Sequence, residues 1–194
     1  MQDKVADLKV LLKGLTIMVL KEKTITSEIK FEGKIVKARV ENVELENGQK
    51  AYREFVDHPG GVGVVAITPD KKMLMVKQFR KAIEDETVEI PAGKLESGED
   101  PLVCGIRELE EETGYKAKEF IALGFIYPSP GFTNERTYIY LAKDLYKGTV
   151  NPDEDEFLDI LEMPIEEIHS MIIENKINDA KTVAGFYKAM EYIK

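Results

Sequence analysis

The chain has 194 residues, 43% hydrophobic and 32% charged, with 27 basic against 36 acidic side chains and a net charge of -9. Those proportions are ordinary for a folded chain and exclude disordered, collagen-like and fibrous classes; the length fits one domain of roughly 100–200 residues plus an accessory segment. The acid excess without a basic patch argues against a DNA or RNA binder, and a single cysteine excludes an internal disulfide or a Cys-based zinc site and fits a reducing, cytoplasmic compartment.

Taken in chain order, Val5, Leu8, Leu12, Leu15 and Val19 recur at helical spacing. Lys9 and Lys13 interrupt the apolar stretch over 8–20, which is too short and too charged for a membrane span or a signal peptide. A helix packed on its own domain or on a second copy of the chain is expected, with no membrane partner. Val36, Ala38 and Val40 alternate with polar residues as in a strand, and Asn47-Gly48 offers a tight hairpin turn into a partner strand over 51–56. The run GVGVVAIT over 61–68 reads as a buried strand, and Pro69-Asp70 turns the chain into another over 73–78. A short extended stretch over 86–90 ends at Pro91-Ala92-Gly93.

A helix is expected over 101–113, with Pro101 in its first turn, Gly114 as its C-terminal cap and Leu102, Ile106 and Leu109 as its apolar stripe. Further strands are expected over 120–127, 136–142 and 158–163, and an acidic loop over 147–156. Two closing helices follow over 165–174 and 180–193, the second capped by Asp179. Many strands, a helix, more strands and then helices imply an α/β (α+β) chain whose mixed sheet is sandwiched between helices.

Chemistry concentrates in the central helix. Glu108, Glu111 and Glu112 stand at i, i+3 and i+4 and share one face. Three like charges repel, and such a face is either a solvated acidic surface or a site for a hard divalent cation such as Mg²⁺, with Mn²⁺ as substitute. Arg107, one turn before Glu111, is placed to hold that carboxylate. Cys104 and Gly105 read as room for close approach. His58 and His169 form no metal-ligand pattern, and Gly60-Gly61-Val62-Gly63 lacks the last glycine of a dinucleotide fingerprint.

The flanking spacing decides between the two readings. Gly93, Glu99, Arg107, Glu108, Leu109, Glu111, Glu112 and Gly114 stand as in the Nudix box, which runs Gly, five residues, Glu, seven residues, then Arg-Glu-apolar-x-Glu-Glu-x-Gly-apolar; Tyr115 holds a place usually aliphatic. Its seven fixed identities would arise by chance on the order of 10⁻⁸ per starting position. The chain is thus identified by resemblance as a Nudix hydrolase. Arg53, Gln78-Phe79-Arg80, the run Glu89 to Gly93 and the run Tyr127 to Gly131 resemble the ADP-ribose pyrophosphatase branch.

That resemblance implies a Nudix α/β/α sandwich over 57–194, and an N-terminal helix and β segment over 1–56 that serves a homodimer. It implies Mg²⁺-dependent cleavage of ADP-ribose to AMP and ribose 5-phosphate. It places Glu108, Glu112, Glu156 and the Ala92 carbonyl as metal ligands, and Arg53, Arg80, Glu89, Ser129, Pro130 and Gly131 around the substrate. Glu154, in the acidic loop, is the implied general base, with Glu108 or Glu111 as the rival; Arg107 and Glu111 complete the catalytic group. Another nucleotide sugar as substrate, a GDP- or UDP-sugar, and a non-catalytic nucleotide-binding regulator are the alternatives.

Overall fold

The computed structural model describes residues 20–149 and 157–193. The helix expected at the N-terminus and the 150–156 part of the acidic loop, with Glu154 and Glu156, lie outside the described residues.

Strands β1 (Lys23–Glu32), β2 (Lys37–Glu44) and β3 (Lys50–Asp57) form a three-stranded antiparallel sheet in that order. The β2–β3 hairpin closes as expected at Asn47-Gly48, where Gly48 takes φ 78° and its N–H bonds the Leu45 carbonyl at 2.9 Å. Strand β1 is absent from the sequence reading. It is exposed along its whole length, so no buried face marks it out with the apolar alternation that identifies half-buried strands.

The second sheet holds β4 (Gly61–Ile67), β5 (Lys72–Arg80), β6 (Asp85–Glu89), β7 (Ala92–Lys94), β8 (Tyr115–Ile126), β9 (Thr137–Lys147) and β10 (Asp159–Pro164). Its main order is β10-β5-β4-β9-β8, with β6 on β5 and β7 on β4. Only the β4–β9 pairing is parallel, which makes the sheet mixed. The short β7 falls where the sequence reading ended a strand, and β8 starts five residues before the expected 120.

Strand β4 is the spine, buried at every residue. Its alternation sends Val62, Val64 and Ala66 into one apolar layer with Cys104, Leu109 and Ala142, and Val65 and Ile67 into another with Ile139, Ile168 and Phe186. Helix α1 (Pro101–Thr113) covers the first face. Helices α2 (Ile165–Ile173) and α3 (Ala180–Ala189) cover the second. Each face is approached through a glycine. A Cβ on Gly105 of α1 would lie 3.1 Å from Val62 Cγ1, and one on Gly185 of α3 would lie 3.1 Å from Val65 Cγ2.

The ends of α1 follow the sequence: Asp100 caps it by accepting from the Leu102 and Val103 amides at 2.9 and 3.3 Å, and Gly114 ends it at φ 67°. Its inward face does not. Leu102 and Ile106 are 37% and 41% exposed, while Cys104, Gly105, Glu108, Leu109, Glu112 and Thr113 are buried. The small residues let the helix sit low on the sheet, and that turns two glutamates inward and two aliphatic side chains out. Helix α3 ends at Ala189 and tightens into a 3₁₀ turn over Met190–Tyr192 instead of running to 193. Among the described residues no helix is long and apolar enough to cross a membrane.

Candidate active site

Two glutamates of α1 lie where strand β7 crosses it. Glu108 is 8% and Glu112 3% exposed. Glu112 Oε2 accepts the Ala92 amide at 2.9 Å, and the Glu108 carboxylate occupies the space that a Cβ on Gly93 would take. Glycine is therefore required at 93 by the close approach of helix and strand. Arg107 binds the remaining acids of the motif: its Nε and Nη2 donate to Glu99 at 3.1 and 3.2 Å, and its Nη1 lies 2.9 Å from Glu111 and 2.8 Å from Glu108. Hydrogen bonding to Glu99 leads the effects that raise the Arg107 pKa, and the same pair leads those that lower that of Glu99. Glu112 also acts on Arg80, among the effects that raise the pKa of that guanidinium after the larger effect of Glu89. Burial, reinforced by Glu108 and Glu99, pushes the Cys104 thiol up to about 12, which fits its reading as space and not as chemistry.

Beside this cluster opens a cleft of about 600 Å³. Gly60 to Val62, Arg80, Thr87, Glu89, Ala92 to Lys94 and Asn178 to Lys181 line it, as do His58, Pro128, Glu135 and Thr137. Glu89 is 2% exposed. Its Oε1 accepts from Arg80 Nε at 2.8 Å and Thr87 Oγ1 at 2.6 Å, and its Oε2 from Arg80 Nη2 at 2.6 Å and from Lys181 Nζ. Burial acts to raise its pKa; the Arg80 pair, Lys181 and Thr87 outweigh that and hold it at about 2.

The sequence-derived residues divide into groups. Arg80, Glu89 and Ala92 line the cleft, and Glu108 and Glu112 sit against its Ala92-Gly93 edge, with Arg107 and Glu111 next to them. Arg53 is not brought there: it lies on β3 and pairs with Glu22 at 2.6 Å. Ser129, Pro130 and Gly131 stand in the turn after β8, where the Ser129 carbonyl accepts from the Phe132 and Thr133 amides at 3.3 and 3.2 Å; their neighbour Pro128 is the residue of that segment lining the cleft. Glu154 and Glu156 are outside the described residues.

Sequence reasoning missed Lys181, Thr87, Glu135 and the place of His58 in the wall. Lys181 carried a usable signal, since a lysine in the first turn of a helix opposes the helix dipole and asks for a nearby acid.

The Glu89 pKa sets a pH dependence of stability. A folded-state pKa of about 2 lies below the ordinary carboxylate value, so the charge of Glu89 stabilises the fold above about 4.5, and the gain is lost as pH falls towards 2. The stability gap between wild type and Glu89→Gln, measured by urea unfolding, is expected to be constant from pH 7 to 5 and to shrink below that. A gap that is flat down to pH 2 would contradict the ionised, buried pair.

The NUDIX domain family matches residues 57–186. The chain is 50% identical over 167 residues, 85% of this chain and 90% of the relative, to the methanol dehydrogenase activator of Bacillus methanolicus. It is 47% identical over 165 residues, 84% of this chain and 89% of the relative, to the ADP-ribose pyrophosphatase of Bacillus subtilis (strain 168). In fold it matches a crystal structure of an ADP compounds hydrolase with a TM-score of 0.81 at 20% identity, over 92% of this chain and 97% of that one. The glutamates that α1 turns inward onto Gly93 are those of the motif that this family shares, and the chain belongs to the Nudix hydrolase family.

Proposed function

We propose that the chain is a divalent-metal-dependent pyrophosphohydrolase that cleaves ADP-ribose with water to AMP and ribose 5-phosphate. The observation that carries this is one cleft lined both by the clamped Arg80 and by the Ala92-Gly93 edge, which rests on Glu108 and Glu112. The 47% identity to an ADP-ribose pyrophosphatase supports the substrate.

Glu108, Glu112 and the Ala92 carbonyl, with Glu156, would hold Mg²⁺, for which Mn²⁺ substitutes. The residues fit such an ion: the donors are hard oxygens, two of them on buried carboxylates. Among the described residues no three His, Cys, Asp or Glu side chains converge as a metal-holding group, so the set depends on the backbone carbonyl and on the 154–156 stretch. When bound, the cation supplies charge neutralisation of the diphosphate and eases ionisation of water. Arg80, fixed by Glu89, holds a phosphate oxygen in the cleft. Arg107 keeps Glu111 and Glu108 in place, and Glu154 takes the proton of the attacking water.

A second substrate class, the GDP- or UDP-sugars, keeps all of this chemistry. Turnover of a panel of nucleotide sugars in Mg²⁺ is expected to be fastest with ADP-ribose; a GDP- or UDP-sugar cleaved far faster overturns the assignment. The likeness to an activator protein favours a further reading, regulation of a partner. Tight nucleotide binding without turnover in Mg²⁺ or Mn²⁺ would select the non-catalytic form of it.

The N-terminal segment, residues 1–56, serves a homodimer in this reading, and the domain of the chemistry is 57–194. Support comes from β1, which presents Ile25, Ile29 and Phe31, each more than 40% exposed, with Ile35 and Tyr52 on the same sheet region. Sedimentation equilibrium is expected to give twice the chain mass of 22.0 kDa, and the monomer mass would remove this part. The proposed compartment is the cytoplasm.

Two substitutions separate the roles of the glutamates. Glu112→Gln is expected to leave the circular-dichroism spectrum unchanged and to lower kcat by about a thousandfold, in line with loss of a transition-state charge contact. Glu154→Gln should lower kcat by about a hundredfold or more, as for loss of a general base. A near-normal kcat for the second variant would return the base to Glu108 or Glu111.

A further inference from the structure

Lys181 is a half-buried cation that the proposed chemistry does not use. It is the second residue of α3, its side chain is 15% exposed, and it faces the cleft. Lysine is rarely buried unless paired, and a cation in the first turn opposes the helix dipole. Its place is explained by Glu89, to which Nζ donates, and by Asp179, whose Oδ2 lies 3.1 Å away. Asp179 is also committed elsewhere: its Oδ2 accepts from the Thr182 amide at 2.9 Å and from Thr182 Oγ1 at 2.6 Å.

We propose that Lys181 is a positioning residue for Arg80, acting through Glu89 to keep the guanidinium turned for a diphosphate oxygen. The proposal rests on the reading of Arg80 as a phosphate-holding residue. Two donors on each oxygen of Glu89, from Arg80, Thr87 and Lys181, fill the roughly four acceptor directions of a carboxylate. The carboxylate cannot turn without breaking a bond, and its partner Arg80 is held by Nε and Nη2, an edge that does not involve Nη1. Arginine then offers its remaining donors in a fixed plane.

Charge supplies the second effect. With Lys181 present, the Glu89 carboxylate is shared between two cations, Lys181 lying also 3.1 Å from Asp179, and its pull on Arg80 is divided. Without it, Glu89 acts on Arg80 alone and competes with the ligand for it. The register of Lys181 is secured one residue on: Thr182 Oγ1 accepts the Ile90 amide at 2.9 Å, which ties the first turn of α3 to the segment that ends in Ala92-Gly93.

The test is a double-mutant cycle with ADP-ribose in saturating Mg²⁺. Lys181→Met is expected to raise KM about tenfold, the scale of one charge-assisted hydrogen bond, with kcat within about threefold of wild type. Lys181→Arg should restore most of the loss. Arg80→Gln should raise KM by itself, and adding Lys181→Met to it should raise KM little further, because the effect of Lys181 passes through Arg80. Multiplicative effects in the double variant would overturn the proposal and make Lys181 an independent ligand contact. An unchanged KM in Lys181→Met, or in Lys181→Gln where the Met variant does not fold, overturns it as well.

Failure of the underlying reading has a different signature. Arg80→Gln with an unchanged KM removes both the Arg80 role and the Lys181 role, whereas a raised KM there with Lys181→Met unmoved removes Lys181 alone. If wild type leaves ADP-ribose uncleaved, the substrate assignment falls, and the same cycle read on the KM of the nucleotide sugar it does cleave decides Lys181.

Discussion

The grip of one guanidinium on its neighbouring acids makes the central helix possible. Glu108, Glu111 and Glu112 share a face, and like charges at these spacings destabilise a helix by a few tenths of a kcal/mol per pair even in water; turned inward, as Glu108 and Glu112 are, the cost rises steeply. Arg107 reaches Glu99, Glu108 and Glu111 at once, and Glu112 takes the Ala92 amide. These contacts let α1 present carboxylates to β7 where a helix would ordinarily bury aliphatic groups. The missing Cβ of Gly93 is the other half of the arrangement, since any side chain there would collide with Glu108.

The same economy of space governs the layers. Strand β4 is flanked on both faces by helices that come close through a glycine, Gly105 on one side and Gly185 on the other. Packing of this density transmits position well. Helix α3 touches the site segment twice in its first turn, through Lys181 to Glu89 and through Thr182 to Ile90, and once lower down, where Gly185 lies against Ile90. The backbone between Glu89 and Gly93 is thus set by elements from both faces of the sheet, which is why residues distant in sequence converge at the start of β4.

Legibility in the sequence followed burial and locality. The spine strand, the hairpin at Asn47-Gly48, and the start and stop of α1 are written in local chemistry: β-branched runs, a positive-φ turn, a proline in the first turn and a terminal glycine. Strand β1 was invisible because it buries nothing within the described chain. The inward face of α1 was misassigned because hydrophobic periodicity weights Leu102 and Ile106 above Cys104 and Gly105, whereas close approach favours the small pair. In the candidate site, helix spacing put Glu108, Glu111, Glu112 and Arg107 together, and the resemblance to the Nudix box decided between a solvated acidic face and a cation site. Lys181 and Thr87 were not, because their meaning depends on a carboxylate brought to them by the tertiary fold. Arg53 shows the converse: its resemblance to a substrate contact does not place it in the cleft, and on β3 its charge is taken up by Glu22.

A chain with a net charge of -9 must still attract an anion in the proposed reaction, and the arrangement of charge resolves this by separating signs over a short distance. Arg80 and Lys181 line the cleft and share the Glu89 carboxylate, with Asp179 3.1 Å from Lys181; Glu108 and Glu112 lie against the Ala92-Gly93 edge of the same cleft. In the proposed reaction an anion accompanied by a divalent cation would use both groups together, the anion at Arg80 and the cation at the helix carboxylates. Selectivity for a metal-complexed diphosphate over a free phosphate would then follow from cationic donors and carboxylates that border one cleft, without any residue that recognises the metal and the phosphate together.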